Sequence, residues 1–295
     1  MKLAVEKAKA SNAEIAIGTD PDADRFGVAV KDDKGEFILL NGNQSMIVLL
    51  HYILTRKKEL GQLTGNEFMV RTIVTTELAQ IIAEKNGVEM FETYTGFKWI
   101  AAIIRELEGK RKYIGGGEES YGFLAQDFVR DKDAVSATVL ISEVAAWAKD
   151  QGKTIYQILK EIYVEYGFSK ELGVSLVREG REGAQEIEAI MKKFRENPPV
   201  EIAGSKVILI KDYATLKAKD FTQNESFTLK MPTTSNVLQF FTEDKSKISI
   251  RPSGTEPKIK FYIEVRSELK SVDEYEEVNQ KVDKTVEQIC KDLDI

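Results

Sequence analysis

Between residues 41 and 167, short apolar runs alternate with segments of helical spacing, and no other feature of this sequence limits the possible folds as much. A helix is predicted over 44–60, where apolar residues recur three and four apart and Gly61 ends the run. A strand over 67–74 follows, then a helix capped by Thr75 or Thr76 and stopped by Gly87. A strand over 88–93, a helix over 97–107 and a short strand over 112–114 continue the alternation, the last running into Gly115-Gly-Gly117. Two helices, about 134–149 and 154–166, complete it, with Gly152 between them. Strands that take turns with helices pair mostly in parallel. The region therefore reads as a doubly wound sheet whose ligands gather at the carboxyl ends of its strands.

From about residue 168 the pattern changes. A strand over 171–177 leads to a helix over 181–196 that breaks at Asn197-Pro-Pro199. Strands are expected near 206–210, 237–241, 247–250 and 259–265. The final helix, 272–293, places Val272, Tyr275, Val278, Val282, Val286, Ile289 and Leu293 three or four apart, so one face is apolar. Residues 1–40 read as helix, strand, acidic loop and strand, with Asp32-Asp-Lys-Gly35 turning the chain into a third strand. That piece is too small for a domain, and its strands call for neighbours. The expected fold class is α/β: doubly wound mixed-sheet structure followed by a C-terminal α+β domain with a mainly antiparallel sheet. The expected division is 1–40, a remnant; 41–167, an α/β domain; and 168–295, the α+β domain.

Composition removes several functions. The formal net charge of −6 argues against a nucleic-acid binder, which would carry a basic face. The 295 residues contain one cysteine, Cys290, and one histidine, His51, so a disulfide framework is impossible and zinc hydrolase chemistry is not expected. No run of about 18 apolar residues exists, so no membrane span is expected. Charges run through the first nine residues where a signal peptide would be apolar, and the cytoplasm is the expected location.

Three segments carry chemistry. Asp20-Pro-Asp-Ala-Asp-Arg25 packs three carboxylates at i, i+2 and i+4 between two apolar runs. Such charges repel unless a cation sits among them, and Mg²⁺ suits oxygen ligands. An EF-hand would need Gly and Glu where Arg25 and Lys31 stand, so that calcium loop is ruled out. A haloacid-type phosphatase, with Asp20 as nucleophile and Asp22 as acid, and a plain acidic turn both remain open. Gly115-Gly-Gly-Glu-Glu-Ser-Tyr-Gly122 follows a strand with carboxylates and a hydroxyl suited to a sugar's vicinal hydroxyls, or forms a simple glycine turn. Arg251-Pro-Ser-Gly-Thr-Glu-Pro-Lys-Ile-Lys260 gathers a guanidinium, two hydroxyls, a glycine and lysines between two strands, a set suited to phosphate. Thr95-Gly-Phe-Lys98 and Arg130-Asp-Lys-Asp133 each open a helix, where anions are favoured; each also reads as an ordinary charged helix start.

Taken in this order, the segments resemble the α-D-phosphohexomutase superfamily, most closely bacterial phosphoglucomutase and phosphomannomutase. Gly18-Thr-Asp-Pro-Asp-Ala-Asp-Arg25 is similar to that family's metal loop, and Gly117-Glu-Glu-Ser-Tyr-Gly122 to its sugar loop. Thr95-Gly-Phe-Lys-Trp-Ile100, Arg130-Asp-Lys-Asp-Ala134 and Arg251-Pro-Ser-Gly-Thr-Glu-Pro257 resemble further family segments. The resemblance implies interconversion of sugar 1-phosphates and sugar 6-phosphates through a phosphoserine and a bisphosphate. It implies Asp20, Asp22 and Asp24 as Mg²⁺ ligands, with Arg25 neutralising the phosphoserine phosphate. It implies Lys132 as general acid/base and Lys98 as a second cation. Glu118 and Ser120 would hold sugar hydroxyls, and Arg251, Ser253, Gly254, Thr255 and Lys260 the phosphate that is not reacting. A glucose 1,6-bisphosphate-type activator is implied as well. The family's Thr-Ala-Ser-His-Asn-Pro loop has no counterpart here. The chain is thus expected to match the C-terminal half of such an enzyme, to be inactive alone, and to need a separate N-terminal half carrying the phosphoserine. A phosphopentomutase-branch member and a non-catalytic phosphosugar-binding module are the alternative readings.

Overall fold

The computed structural model describes residues 1–178, 180–254 and 256–295. Its chain divides into two units, Met1–Tyr166 and Gly167–Ile295. The first opens with α1 (Lys2–Ala10) and an antiparallel meander of β1 (Ile15–Thr19), β2 (Phe26–Lys31) and β3 (Phe37–Leu39). Ala8 of α1 meets Ala16 and Ala29 on one face of this sheet, small side chains that let the helix lie close. The turn between β2 and β3 is the one expected: Asp32 accepts the N–H groups of Lys34 and Glu36, and Gly35 takes a φ of 79°. Among the described residues, β1 has a strand neighbour on one side only.

The rest of the unit is α2 (Gly42–Glu59), β4 (Glu67–Thr72), α3 (Glu77–Lys85), β5 (Glu89–Thr93), α4 (Phe97–Leu107), β6 (Lys112–Glu118), β7 (Gly122–Leu124), α5 (Ala134–Asp150) and α6 (Ile155–Tyr166). The strand order is β5-β4-β6-β7, with β4 parallel to both β5 and β6 and β7 antiparallel. Asn41 and Gln44 form a capping box that starts α2, whose residues 45–50 are all buried. Phe97, Ile100 and Ile104 of α4 pack on Phe68 and Val70 of β4. On the other face of the sheet, a Cβ at Gly115 would touch Ile53 and Leu50 of α2. Helices therefore cover both faces, as the alternation requires.

One expectation needs correction. The strand predicted over 112–114 continues through all three glycines to Glu118. The reason is close approach between backbones. A Cβ on Gly116 would sit 2.0 Å from the Val70 carbonyl oxygen, and one on Gly117 would sit 2.1 Å from that of Gly122. Glycine here permits strand contact rather than ending a strand.

The second unit contains β8 (Phe168–Val177), α7 (Gly180–Glu196), β9 (Glu201–Ile202), β10 (Ser205–Asp212), β11 (Lys217–Asp220), β12 (Glu225–Thr228), β13 (Leu238–Thr242), β14 (Lys247–Pro252), β15 (Lys258–Ser267) and α8 (Tyr275–Leu293). They form one antiparallel sheet in the order β12-β11-β10-β13-β14-β15-β8, with β9 paired to β10. Phe194 of α7 packs against Phe240 and Phe261, and Tyr275 of α8 against Phe168. The strands β9, β11 and β12 are not anticipated by the sequence reading, and the first turn of its final helix, Val272–Glu274, is a 3-10 turn.

Candidate functional site

The acidic loop joins β1 to β2, where Thr19 and Phe26 are register partners. Asp20 ties it shut. Its N–H donates to the Arg25 carbonyl at 3.1 Å, and its Oδ1 accepts the N–H groups of Arg25 at 3.0 Å and Asp24 at 3.1 Å. These bonds, chiefly that from Arg25, hold the Asp20 carboxyl below its ordinary pKa. Oxygen atoms of Asp20, Asp22 and Asp24 all come within 4.8 Å of one another. Asp24 Oδ1 is buried and has no hydrogen-bond partner, while Oδ2 lies 2.9 Å from Lys132 Nζ. A buried carboxylate oxygen without a donor, in a cluster of three carboxylates, suits a hard divalent cation with oxygen ligands such as Mg²⁺.

Lys132 is clamped between Asp24 and Asp131, the second at 2.8 Å, and its side chain is only 9% exposed. Burial pulls its pKa down, but the hydrogen bonds to Asp131 and Asp24 win and raise it above the ordinary value, so the ammonium stays charged. The side chain crosses Gly122 so closely that a Cβ there would lie 2.3 Å from its Cδ, and Nζ stands 5.3 Å from the centroid of the Phe97 ring. Arg25 is exposed, with Nη1 3.8 Å from Asp20 Oδ2.

Backbone bonds stitch these segments together. Arg25 forms a bridge with Gly122, and Phe26 N–H donates to the Tyr121 carbonyl at 3.2 Å. Asp133 N–H donates to Phe123 at 2.9 Å, and Ala134 N–H to Ala23 at 3.0 Å. The acidic loop, the turn after β6 and the start of α5 therefore meet, beyond the carboxyl end of β6. Within that turn Glu118 is buried, and its Oε1 accepts the Gly96 N–H at 2.6 Å, so one oxygen is committed to the chain itself. Ser120 is half-buried, and Tyr121 takes a left-handed φ of 69°. Lys98 is exposed on the first turn of α4, its ammonium 5.0 Å from the centroid of the Trp99 ring.

Two residues of the segments singled out in the sequence, neither given a role of its own there, also stand at this turn. Thr95 Oγ1 is buried without a hydrogen-bond partner, beside the Gly96 amide that Glu118 binds. Glu119 accepts from Thr72 Oγ1 at 3.2 Å, which brings the end of β4 to the same turn. In the Thr95-Gly-Phe-Lys98 segment the lysine is the evident chemical group, and a lone threonine at a helix start gives no signal of its own.

In the second unit, Arg251 on β14 and Lys260 on β15 are register partners, and Lys260 pairs in turn with Ser175 on β8. Direct partners project from the same face, so these three residues form a row. Ser253 N–H donates to the Lys258 carbonyl at 2.8 Å, and its Oγ accepts the Glu256 N–H at 3.3 Å. Glu256 pairs with Lys258, which holds its carboxyl below the ordinary value. Gly254 faces open space. Thr255 lies outside the described residues. A cavity of about 540 Å³ adjoins this loop, lined by Ser253, Gly254 and Pro257 together with Ile187 and Met191 of α7.

Two family models match: the phosphoglucomutase/phosphomannomutase alpha/beta/alpha domain III over residues 41–166 and the C-terminal domain of the same family over residues 175–282. The chain belongs to the α-D-phosphohexomutase superfamily. Among its relatives, a phosphoglucomutase of Staphylococcus aureus (strain USA300) is 42% identical over 263 residues, which is 89% of this chain and 47% of the relative. A phosphoglucomutase of Staphylococcus haemolyticus is 39% identical over 280 residues, 95% of this chain and 49% of the relative. The chain thus spans about half the length of the curated relatives it matches. Two solved structures share its fold: parafusin, a phosphoglucomutase from Paramecium in its open form (TM-score 0.59, 19% identity, 94% of this chain and 46% of that one), and a phosphoglucomutase/phosphomannomutase family protein from Burkholderia thailandensis (TM-score 0.59, 18% identity, 98% and 49%). Residues 18–25, 95–100, 117–122 and 130–134 fall in the first unit of the chain, and residues 251–257 fall in the second.

Proposed function

We propose that this chain carries the cation, sugar-hydroxyl, proton-transfer and phosphate-binding residues of a phosphohexomutase that interconverts sugar 1-phosphates and sugar 6-phosphates. One observation carries the reading: the Asp24 carboxylate offers a buried, partnerless oxygen to a cluster of three carboxylates while its other oxygen holds Lys132. Asp20, Asp22 and Asp24 would hold Mg²⁺, which when bound neutralises charge on a phosphoryl group. Lys132, kept charged by Asp24 and Asp131, holds the proton given to the sugar oxygen that loses its phosphoryl group. In the reverse direction the same nitrogen takes that proton back. Ser120 and the free oxygen of Glu118 orient sugar hydroxyls, with Lys98 and Arg25 adding positive charge. In the second unit, Arg251 and Lys260 grip a phosphate, with Ser253 and Gly254 in the loop they flank.

The covalent phosphoryl carrier of this mechanism is a serine in a Ser-His-Asn-Pro setting, and the 295 residues contain none. In this proposal a separate segment supplies the phosphoserine, and a glucose 1,6-bisphosphate-type compound primes it. The test is direct. Mn²⁺ is titrated into the purified chain and followed by electron paramagnetic resonance, and glucose 1-phosphate is offered in a separate assay. Asp24→Asn should weaken Mn²⁺ by roughly tenfold or more, since it removes one of three charged ligands. Unchanged affinity would remove the metal assignment. The chain alone should form no glucose 6-phosphate, and robust turnover by it would remove the requirement for a second segment.

A further inference from the structure

β6 is seven residues long, so its two ends lie about 20 Å apart. Glu118 and the site described above occupy the carboxyl end. At the amino end, around Lys112, lies a separate cavity of about 500 Å³. Ile53, Leu60, Ile114 and Leu140 supply the apolar part of a lining that is otherwise mostly polar. Arg56, Lys57 and Lys112 also line it, against two carboxylates, Asp127 and Glu143. Arg56 is ion-paired with Glu59. Lys57 is held below its ordinary pKa, first by burial and then by the charge of Lys112. The carboxylate that offsets this, Glu67, is already bound by the Thr64 N–H at 2.9 Å, the Thr64 hydroxyl at 3.0 Å and the Gly65 N–H at 3.1 Å.

The carbonyl end of α2 accounts for the run Arg56-Lys-Lys58, because cations are favoured at helix C-termini. It does not account for Lys112, which arrives from a different element and adds like charge beside a half-buried ammonium. An anion between Lys57 and Lys112 would remove that repulsion, and the apolar side chains of the lining would receive whatever the anion is attached to.

We propose that this cavity binds a phosphate group between Lys57 and Lys112, borne by a small organic body that rests on Ile53, Ile114 and Leu140. The site is independent of the mutase reading.

Equilibrium dialysis of the full chain against inorganic phosphate and against phenyl phosphate, without divalent cations, tests the assignment. All measurements use the Arg251→Ala background, which silences the phosphate loop of the second unit. In that background one phosphate group per chain should still bind. Adding Lys57→Ala and Lys112→Ala together should weaken it by roughly tenfold or more, since two charge-assisted contacts are lost. Adding Lys57→Arg and Lys112→Arg should preserve binding, as should Lys58→Ala, which does not line the cavity. Phenyl phosphate should bind more tightly than inorganic phosphate. Absence of binding in the Arg251→Ala chain, or binding that survives loss of both lysines in a chain with an unchanged melting profile, would overturn the site. Equal affinity for the two ligands would overturn the role given to the apolar side chains of the lining.

Discussion

At the scale of single residues, the tightest constraint is the glycine run of β6. Gly116 has no room for a side chain, because its missing Cβ would meet the Val70 backbone on the neighbouring parallel strand. Gly116→Ala should therefore cost roughly 1–3 kcal/mol or prevent folding, as overpacking does. Urea unfolding checks this, and a loss under about 0.5 kcal/mol would show that β4 and β6 can part without penalty. His51 makes a second case. It is half-buried beside Trp147 and Tyr166, its buried Nδ1 has no hydrogen-bond partner, and desolvation pushes its pKa below the ordinary 6.5 despite the opposing charges of Glu165 and Glu161. The Lys85 ammonium lies 5.1 Å from the centroid of the same Tyr166 ring. The unfolded chain then takes up this proton first as pH falls. The histidine's contribution to stability is whole above about pH 6.5 and drains away below it, by up to about 1.4 kcal/mol per pH unit. His51→Phe should flatten that part of the stability profile between pH 8 and pH 5. An identical profile in the variant would refute the assignment.

At the scale of elements, α5 begins at the site and is anchored there by its cap. Asp133 accepts the N–H groups of Val135 and Ser136, one residue from Lys132. Asp133→Ala should cost about 1 kcal/mol, measured by thermal unfolding, and no change would mean that the stitched backbone holds the helix start unaided. Periodicity made α2, α3, α4 and α8 legible, because their apolar spacing or capping residues sit in the local sequence. The strands β11 and β12 were not legible. Residues 225–228 are exposed throughout, so they show none of the alternation that betrays a half-buried strand. The glycines of β6 misled for the opposite reason: glycine marks both turns and close strand contacts, and only the neighbouring strand decides which. At the site, the order of charged residues was readable, but the commitment of Glu118 to the Gly96 amide and the buried hydroxyl of Thr95 depend on contacts between distant segments.

At the scale of the whole molecule, the first unit holds two sheets and the second holds one, and family likeness runs through both units while covering about half the length of the relatives. Among the described residues, no helix is long and apolar enough to cross a membrane. Within the first unit, a meander near the start of the chain and a helix more than a hundred residues later are joined by main-chain bonds around one turn. Those bonds have a consequence for exchange with solvent. The amides of Phe26, Asp133 and Ala134 each close onto a different segment, so none can be released while its neighbours stay in place. In deuterium oxide the three should exchange at one shared free energy of opening, a single cooperative group drawn from distant parts of the sequence. If they exchanged at widely different rates, the cation loop and the lysine helix would be separate moving parts.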